Sequence, residues 1–563
     1  MLDALRDSDD PCGVPFDVVV IGGGITGVGV ALDAAARGLR TALVERDDFA
    51  SGTSSRSSKL VHGGLRYLQN GDIRLVYEAL RERRRLMRNA PHLVQVLPFM
   101  IPILTKDSVV SRKVARALGS AMWMYDLTGG WRIGKLHKRV SAEVAAQHFP
   151  TTHIEKLSSG YLYFDAAADD ARLTLTIART AADHGATIVN RCNVVGVTTD
   201  NDGVANGVTV VENNQEFNIA ARTVVIAAGV WTDDVRSLDE PTHPNSIRPA
   251  KGVHIVLPWS LVRNDIAVII PVRSDKRSLF ITPWGANADG TFRHAYVGTT
   301  DTDYDGPLDN PQCTSDDIDY VLTALNESLT NPVTRSDITG VWAGLRPLVK
   351  SDDADETPES TTDLSRQHQV ASSTTGVLRV NGGKLTTYRE MAEDTVDQVV
   401  KMLPRANRRR TRTRRRHSTR RLALRGAKKL HSPDQGDPPD GKTSHLAGRY
   451  GSRADEVRSL VAFQPELGEP LVEGQPYLRA EVIYAARHEM ATTVEDILVR
   501  RTRAHLFDRQ AALAAAPEVA RLLAIEFGWD DGEAARQMDL YQQLCTNEAK
   551  AGEPHAHVAD TTN

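Results

Sequence analysis

The sequence predicts an α/β protein built from several domains, the last of which is helical. Three observations support this prediction. The chain has 563 residues, and a single hydrophobic core stops growing at about 250–300 residues, so more than one domain is expected. Residues 16–48 follow the order strand, glycine turn, helix, strand, which is typical of an α/β unit. Residues 444–544 repeat apolar side chains near i, i+3 and i+4, as amphipathic helices do.

The first element is a strand that runs into a glycine turn. The apolar run Val18–Ile21 is followed by Gly22, Gly24 and Gly27 in the pattern G-x-G-x-x-G, and an alanine-rich helix comes next. A second strand ends at Glu45, 23 residues after the first of these glycines. This is the fingerprint of a dinucleotide-binding unit, in which the backbone approaches a pyrophosphate at the helix N-terminus. We expect Glu45 to accept the adenosine ribose hydroxyls.

Two further glycine-rich segments lie far downstream. An apolar strand within Thr223–Trp231 ends in Ala-Ala-Gly, a pattern that suits either a bound cofactor or ordinary sheet packing. A glycine pair within Val380–Glu390 precedes a helical pattern. With the first turn, the three segments spread over about 370 residues, which favours one extended cofactor touched by separate parts of the chain. FAD fits this spread better than NAD, which one compact unit usually holds.

The overall composition does not identify a partner. Hydrophobic residues make up 41% and charged residues 25% of the chain, and the formal net charge is -4, all ordinary values for globular proteins. The four cysteines lie far apart without a C-x-x-C pair. This argues against a disulfide framework or a zinc cluster and fits a reducing compartment.

No membrane-spanning segment is predicted. Residues 1–13 are acidic where a signal peptide needs a basic flank. The apolar run Val96–Leu104 has nine residues and includes two prolines, well below the roughly 20 residues of a membrane-spanning helix. Attachment to a membrane surface is not excluded by these features.

Six motifs, in this order and spacing, resemble the family of FAD-dependent respiratory glycerol-3-phosphate dehydrogenases, within the D-amino acid oxidase-like flavoproteins. They are VIGGGITG, SSKLVHGGLRYL, KGVHIVLP, VGTTDTDY, GLRPL and NGGKLTTYRE. The resemblance is strong from Phe16 to Gln398. It continues more weakly through residues 481–503, which look like the family's C-terminal helical domain.

The resemblance implies oxidation of sn-glycerol 3-phosphate to dihydroxyacetone phosphate. Hydride passes from C2 to flavin N5, and the electrons then pass to membrane quinone. The nearest alternative is a glycerol-3-phosphate oxidase that reduces O2 to hydrogen peroxide, which the shared motifs do not separate. An amino acid oxidase of the same fold is disfavoured by the phosphate-suited Arg346 and Lys384. A nucleic-acid-associated flavoprotein is the alternative from a different class.

The resemblance also implies the substrate-binding residues, and a phosphate dianion is well matched by arginine forks. Arg346 in GLRPL and Arg366 in LSRQH match substrate-binding arginines of the family, and Lys384 matches a lysine near substrate and flavin. A solvated arginine is an almost equal interpretation for Arg366, which follows an acidic stretch. Arg66 and Tyr67 are expected to face the substrate.

His254, in KGVHIVLP, is the expected general base. A histidine in such an apolar strand is more often a satisfied core group, but the family motif places it at the substrate. We expect a pKa near neutrality, which suits proton transfer. Proton acceptance through a water held by an arginine fits equally well. His254, Arg346 and Lys384 are therefore the catalytic candidates, and no metal site is predicted.

The remaining motif residues are expected at the cofactor or in the pocket wall. Thr299, Thr300 and Asp301 are candidates for the wall. The expected cofactor-binding residues are Gly22, Gly24, Gly27, Glu45, Ser57, Ser58, Lys59, Leu60, His62, Gly229, Gly383, Leu385 and Thr386.

The motif order implies a Rossmann-like FAD-binding domain interleaved with a mixed-sheet α+β substrate domain, followed by a C-terminal α-helical cap. The FAD-binding domain is expected over residues 16–91, 160–237 and 340–402, the substrate domain over 92–159 and 238–339, a basic and Pro/Gly-rich linker over 403–443, the cap over 444–544 and a tail over 545–563.

Two segments are candidates for contact with other molecules. Arg405–Lys429 holds thirteen Lys or Arg and no acid, so it is a flexible connector or binds anionic lipid. Nucleic acid is disfavoured because no aromatic residues interleave with the arginines. Val109–Trp131 is either an interfacial helix or an amphipathic helix packed on the core.

The expected partners are glycerol 3-phosphate, membrane quinone and an anionic membrane surface, with no nucleic acid. A homodimer formed by the helical cap is compatible with the sequence. The expected location is the cytoplasm, at the inner face of the cell membrane.

Overall fold

The computed structural model of the chain describes residues 1–10, 13–65, 72–104, 112–129, 133–272, 277–349, 367–404, 418–428 and 441–554, with the side chains of 112–118 and 441–444 left aside. Strands and helices are interspersed up to residue 402, and the C-terminal part is helical.

The strands are β1 Val18–Ile21, β2 Thr41–Val44, β3 Leu60–Val61, β4 Gln95–Leu104, β5 Lys138–Ser141, β6 Leu157–Ala167, β7 Thr187–Val189, β8 Asn193–Thr199, β9 Ala205–Glu212, β10 Gln215–Ala220, β11 Val224–Ile226, β12 Ile247–Pro258, β13 Ala267–Pro271, β14 Ser278–Ala286, β15 Phe292–Gly298, β16 Thr302–Asp303, β17 Gly340–Val349, β18 Gln369–Ser372 and β19 Leu378–Asn381. The helices are α1 Leu2–Arg6, α2 Ile25–Ala36, α3 Ile73–Asn89, α4 Arg112–Thr128, α5 Ala142–His148, α6 Asp170–Asp183, α7 Thr232–Arg236, α8 Trp259–Val262, α9 Ser315–Asn326, α10 Tyr388–Met402, α11 Gly441–Tyr450, α12 Ala454–Phe463, α13 Arg479–Glu489, α14 Ala504–Phe507, α15 Arg509–Phe527 and α16 Asp531–Ala551.

The first sheet has six strands in the order β18-β19-β11-β1-β2-β7. Its strands are parallel except for the edge strand β18. All four residues of β1 are buried, as expected for a parallel strand covered on both faces. Val18 and Val20 pack against helices, whereas Val19 and Ile21 pack against the three-stranded sheet β8–β10. This is the predicted Rossmann-like layer.

The second sheet has ten strands and is mixed, because β4 and β13 run parallel while the other pairs are antiparallel. Strand β12 lies between β17 and β15, with His254 opposite Trp342 on one side and Gly298 on the other. One face of the sheet packs on α5, α8 and α9. A cavity lies against the other face of the sheet.

Sheet membership differs from the predicted domain boundaries at three strands. Strands β3, β6 and β17 belong to the ten-stranded sheet, although the boundaries assign nearly all of their residues to the FAD-binding domain. The difference arises because sheet membership depends on pairing with distant strands: β6 pairs with β4, and β17 pairs with β12.

The C-terminal helices α11–α16 form their own hydrophobic core. Helix α16 continues to Ala551, seven residues beyond the predicted end of the cap. Buried ion pairs join this domain to helix α6 and to the loop after β2: Arg172 pairs with Glu489 at 2.6 Å, and Arg501 pairs with Asp48 at 2.7 Å. Opposite charges are paired because a lone buried charge is costly.

Several sequence predictions fall partly or wholly outside the described residues. Most of the Arg405–Lys429 run lies there, as do the last nine residues and Cys12. Cys192, Cys313 and Cys545 are buried free thiols. None of the described helices combines the length and apolarity needed to cross a bilayer.

Candidate active site

A cavity of about 890 Å³ lies between the two sheets. Its wall includes the turn after β1, the segment around β3 and parts of β4, β12 and β17. The cavity therefore reaches from the dinucleotide fingerprint to the motif containing His254.

The turn after β1 requires glycine for steric reasons. Gly22 has φ +113°, and a Cβ there would lie 2.6 Å from the Ala227 carbonyl oxygen. A Cβ on Gly27 would lie 1.9 Å from the Gly22 carbonyl oxygen. Gly22 and Gly24 line the cavity, whereas Gly27 does not. Gly27 therefore allows α2 to pack closely on the turn, and a direct contact of Gly27 with the cofactor stays a prediction.

The N-terminus of α2 points to this wall of the cavity. Gly24 is the N-cap residue and has no side chain to cap the helix. Ser54, 29 residues later, accepts a hydrogen bond from the Ile25 N–H at 2.8 Å. No sequence motif marks Ser54 as the residue that caps this helix. A helix N-terminus with the carboxyl end of a parallel strand beside it suits a pyrophosphate.

Glu45 lies at the end of β2 and lines the cavity. Its carboxylate accepts N–H bonds from Gly23 at 2.5 Å and Asp47 at 2.9 Å. Burial raises the pKa of Glu45, while these two backbone bonds lower it. The carboxylate is thereby fixed at the cavity edge, where the prediction places ribose hydroxyls.

Trp231 is a second residue that the sequence analysis did not identify. Its indole Nε1 is a buried donor with no hydrogen-bond partner among the described residues, and the side chain lines the cavity. The Arg46 guanidinium lies 5.2 Å from its ring centroid. Gly229, at φ +60°, precedes it in the same wall. An unsatisfied donor at this position fits a ligand that brings an acceptor.

The segment around β3 divides its side chains between two environments. Ser57, Ser58, Leu60 and His62 line the cavity, but Lys59 does not. Lys59 is completely buried and has φ +57°. With this left-handed backbone the Lys59 side chain is not part of the cavity wall, and a place of Lys59 along the cofactor stays a prediction.

The turn before α10 supplies the opposite wall. Gly383, Lys384, Leu385 and Thr386 all line the cavity. Gly383 has φ +76°, and a Cβ there would lie 2.4 Å from the Met391 Sδ. The Thr386 hydroxyl accepts the His62 N–H at 3.2 Å, so two predicted cofactor-binding segments meet directly.

His254 is 3% exposed and forms part of the cavity wall. Its Nε2 lies 3.0 Å from the Ser58 hydroxyl oxygen, and its ring stacks on Trp342 at 4.6 Å between centroids. Its Nδ1 is buried without a partner among the described residues.

The pKa of His254 departs from the predicted near-neutral value. Burial, followed by the charges of Lys59 and Arg346, lowers the pKa of His254 well below its ordinary value of 6.5. The ring is consequently neutral at pH 7. A neutral imidazole can accept a proton, and a phosphate dianion beside Arg346 would offset part of the positive field that lowers this pKa.

Arg346 projects from β17 into the same cavity. It donates to the Asp301 carboxylate at 3.0 Å, and to the Thr299 hydroxyl and the Thr300 carbonyl at 3.1 Å each. Gly252 makes room for it, since a Cβ there would lie 2.5 Å from Nη2. Thr299, Thr300 and Asp301 all line the cavity, so the predicted pocket wall also orients the guanidinium.

Besides Arg46, the rest of the wall contains two more cationic side chains, Arg56 and Arg277, and an apolar face. No sequence motif marks Arg56, Arg277 or the apolar face. The apolar face includes Phe99, Ile101, Pro102, Ile103, Tyr163 and Phe280. Arg66, Tyr67 and Arg366 lie outside the described residues, so their roles stay predictions.

These features fit FAD. The glycine cradle at Gly22, the fixed carboxylate of Glu45 and the unsatisfied Trp231 donor suit a nucleotide at one end of the cavity. His254, Arg346 and Lys384 at the other end suit a small anionic substrate beside the flavin. The residues present thus match the parts of an extended dinucleotide.

Comparison with known proteins agrees with this assignment. A family model described as FAD dependent oxidoreductase matches residues 17–389, and one described as the C-terminal domain of alpha-glycerophosphate oxidase matches residues 417–534. Glycerol-3-phosphate dehydrogenase 2 of Mycobacterium tuberculosis is 40% identical over 538 residues, covering 93% of this chain and 87% of the relative.

Two further proteins extend the similarity. The mitochondrial glycerol-3-phosphate dehydrogenase of Arabidopsis thaliana is 38% identical over 567 residues, covering 94% of this chain and 86% of the relative. The crystal structure of the glycerol-3-phosphate dehydrogenase from Bacillus halodurans, complexed with FAD, superposes with a TM-score of 0.74 at 30% identity and covers 99% of this chain and 98% of that chain.

Proposed function

The chain belongs to the family of FAD-dependent glycerol-3-phosphate dehydrogenases, and on that premise we propose that it converts sn-glycerol 3-phosphate to dihydroxyacetone phosphate and passes the electrons to membrane quinone. The observation that carries the proposal is a single cavity in which Arg346, Lys384 and a neutral His254 meet the dinucleotide-binding turn. This is the set of groups that the reaction needs.

The substrate phosphate is held by the cationic side chains of the cavity. Arg346 presents a planar fork, already oriented by Asp301 at 3.0 Å and Thr299 at 3.1 Å. Such a fork binds a phosphate through two parallel hydrogen bonds. Lys384, on the opposite wall, adds a second positive charge.

The proton of the C2 hydroxyl is accepted by the pair His254 and Ser58. Their 3.0 Å contact joins Nε2 to the serine hydroxyl, and both residues line the cavity. The hydroxyl proton is taken by Nε2 directly or through the Ser58 oxygen. Bound FAD supplies the two-electron acceptor for the C2 hydride.

The apolar face of the cavity supports a lipid-soluble electron acceptor. Helix α4 contributes Ala121 to the cavity wall, while Trp123 and Leu127 on the same helix are 56% and 76% exposed. Helix α4 thus borders the cavity through Ala121 and also carries exposed apolar side chains. This arrangement favours quinone arriving from a bilayer and contact of α4 with the membrane.

Anaerobic mixing of the purified holoenzyme with glycerol 3-phosphate tests the substrate. We expect rapid loss of the oxidised-flavin absorption band, and no loss with glycerol, which lacks the phosphate. Bleaching by amino acids and not by glycerol 3-phosphate would contradict the proposal.

The acceptor is tested separately, by turnover with a short-chain quinone and with O2. We expect the reduced flavin to be reoxidised faster by quinone than by O2, with little hydrogen peroxide formed. Peroxide produced in step with substrate, without a need for quinone, would instead identify an oxidase.

A further inference from the structure

Lys59 is a charged residue that the proposed reaction does not use. Its side chain is 0% exposed and does not line the cavity. Its φ of +57° is uncommon for a residue with a side chain. The Ser57 hydroxyl accepts the Lys59 N–H at 3.0 Å, and this contact holds the turn.

The Lys59 ammonium lies between an aspartate and an indole. Its Nζ is 3.7 Å from an Asp170 carboxylate oxygen and 4.0 Å from the ring centroid of Trp342. Burial lowers the pKa of Lys59 to about 8, even though Asp170 raises it. The group is therefore mainly protonated at neutral pH. A buried cation over an indole face is a strong contact, since neither partner is screened by water.

Trp342 transmits this contact to His254. The two rings stack at 4.6 Å with an interplanar angle of 12°. The Trp342 Nε1–H donates to the Ser57 carbonyl at 3.2 Å, so the indole is tied to the same turn that carries Lys59. The next residue, Ser58, contacts His254 Nε2. The turn thus contacts the imidazole directly through Ser58 and indirectly through Trp342, which stacks on the imidazole ring.

Asp170 fixes the turn through hydrogen bonds to Ser57. It accepts hydrogen bonds from the Ser57 N–H at 2.9 Å and the Ser57 hydroxyl at 2.7 Å. It also accepts from Arg503 at 2.9 Å. Arg503 comes from the C-terminal helical domain and is itself completely buried. The support of His254 therefore extends into that domain.

We infer that Lys59 is a positioning residue for His254: its ammonium, held by Asp170, fixes Trp342 and so sets the orientation of the imidazole. The charged groups that face His254 are Lys59 from the turn and Arg346 from β17. Tyr296 from β15 is the titratable neighbour, at 6.0 Å between ring centroids. The inference rests on the proposed function only for the step in which His254 accepts a proton.

The test compares Lys59→Met with Lys251→Met in the full-length holoenzyme. Lys251 is a matched control: it is 8% exposed, its Nζ lies 2.6 Å from Asp317, and it precedes His254 by three residues on β12 without lining the cavity. Both substitutions remove a buried ammonium and keep an unbranched side chain of similar length.

Two measurements separate a positioning role from a structural one. The first is the limiting rate of flavin reduction by glycerol 3-phosphate as a function of pH, with the substrate Kd determined in parallel. The second is exchange of the His254 C2 hydrogen for deuterium, followed by mass spectrometry, which reports the pKa of the ring without any turnover.

We expect Lys59→Met to bind flavin and substrate nearly normally but to reduce flavin at least about tenfold more slowly. The pH midpoints of flavin reduction and of His254 exchange should rise by on the order of one pH unit, because a nearby positive charge is lost. Lys59→Arg should restore most of the rate and the low midpoint. Lys251→Met should lower the thermal stability and leave the rate of flavin reduction and both pH midpoints unchanged.

Equal rates and equal His254 exchange midpoints in Lys59→Met and Lys251→Met would overturn the inference. Lys59→Gln replaces Lys59→Met under the same criteria if the methionine variant does not bind flavin. Failure of the wild-type protein to reduce flavin with glycerol 3-phosphate would reject the proposed function instead. In that case the exchange midpoints alone decide the role of Lys59.

Discussion

The chemistry of single side chains in this cavity is set by their neighbours. His254 is neutral because it is buried near Lys59 and Arg346, and the sequence around it does not reveal this. Arg346 is oriented by three acceptors from the loop 299–301. Charge and geometry at each position thus come from residues that the fold brings together.

Arg346→Lys tests whether the arginine fork matters as well as its charge. We expect the KM for glycerol 3-phosphate to rise by about 10- to 100-fold, because lysine offers a point charge and cannot bind a phosphate in a bidentate manner. Steady-state kinetics measure this effect. Arg248→Lys is the control, since Arg248 pairs with Asp303 outside the cavity wall. An equal KM in both variants would exclude Arg346 from phosphate binding.

His505 makes the stability of the C-terminal domain depend on pH. Burial opposes its protonation, but Glu548 at 2.8 Å and Cys545 outweigh burial and raise the pKa of His505 to about 9. The raised pKa contributes stability that is complete below about pH 6.5 and is lost as the pH rises through about 9. Its full size is on the order of 3 kcal/mol.

Urea unfolding of the C-terminal domain at pH 6, 8 and 10 measures this contribution. The free energy of unfolding should fall over this series in the wild-type protein, and His505→Gln should flatten the dependence. His148→Gln, which removes a more exposed histidine beside Asp265, should leave it unchanged. The same slope in all three proteins would show that His505 is not responsible.

At the scale of elements, the unit β1–turn–α2–β2 was the part of the fold most open to prediction. Its apolar run, glycine spacing and helix pattern are all local in sequence. Features that depend on distant partners were missed. Ser54 caps α2 from 29 residues away, and the turn at Lys59 depends on Asp170, which lies 113 positions after its partner Ser57.

In the candidate site, too, residues in local motifs were predicted and residues that depend on distant partners were not. Motifs placed Glu45, His254, Arg346 and Lys384, and the structure brings them into one cavity. Arg277, Trp231 and the apolar face carry no motif. The direction of the Lys59 side chain follows from a positive φ, which no local pattern indicates for lysine.

Gly27→Ala tests the packing of the first turn. The new Cβ would lie 1.9 Å from the Gly22 carbonyl oxygen, so the backbone must shift at the place where the pyrophosphate is expected. We expect a lower flavin-to-protein ratio and a destabilisation of about 1–3 kcal/mol, measured by absorbance and thermal unfolding.

Gly448→Ala is the matched control for this substitution. Gly448 lies in α11, and a Cβ there would meet nothing within 4 Å. Alanine at this position should be neutral or stabilising by up to about 1 kcal/mol. If Gly27→Ala retains flavin as well as Gly448→Ala does, the turn is not tightly packed against the cofactor.

At the scale of the whole molecule, the cavity and its supports bring together three regions: the two sheets and the C-terminal domain. The two sheets form its walls, and the C-terminal domain reaches the turn behind His254 through Arg503. Sheet membership of β3, β6 and β17 was not predictable, because it depends on long-range pairing. The helical cap was predicted from local periodicity, whereas its contact with the active site was not.

The exposed apolar side chains of α4 lead to a prediction about membranes. Replacing Trp123 and Leu127 together by serine should weaken binding to anionic lipid vesicles by about tenfold or more, because two large apolar groups no longer enter the interface. Cosedimentation with vesicles measures this binding. Phe463→Ser is the control, since Phe463 is 90% exposed on the C-terminal domain. An equal loss in the control would exclude α4 as the contact.

The order of the strands in the first sheet sets a condition on biosynthesis. Strand β1 pairs with β11, and β11 pairs with β19 near residue 380. At roughly 5–20 residues per second, a ribosome needs tens of seconds to deliver the chain between β1 and β19. Val18–Ile21 stays unpaired on one side until β11 is made about 200 residues later, and β11 then waits for β19. Flavin loading is therefore a late event in the life of the chain, and exposed β1 is where chaperone binding would be most useful.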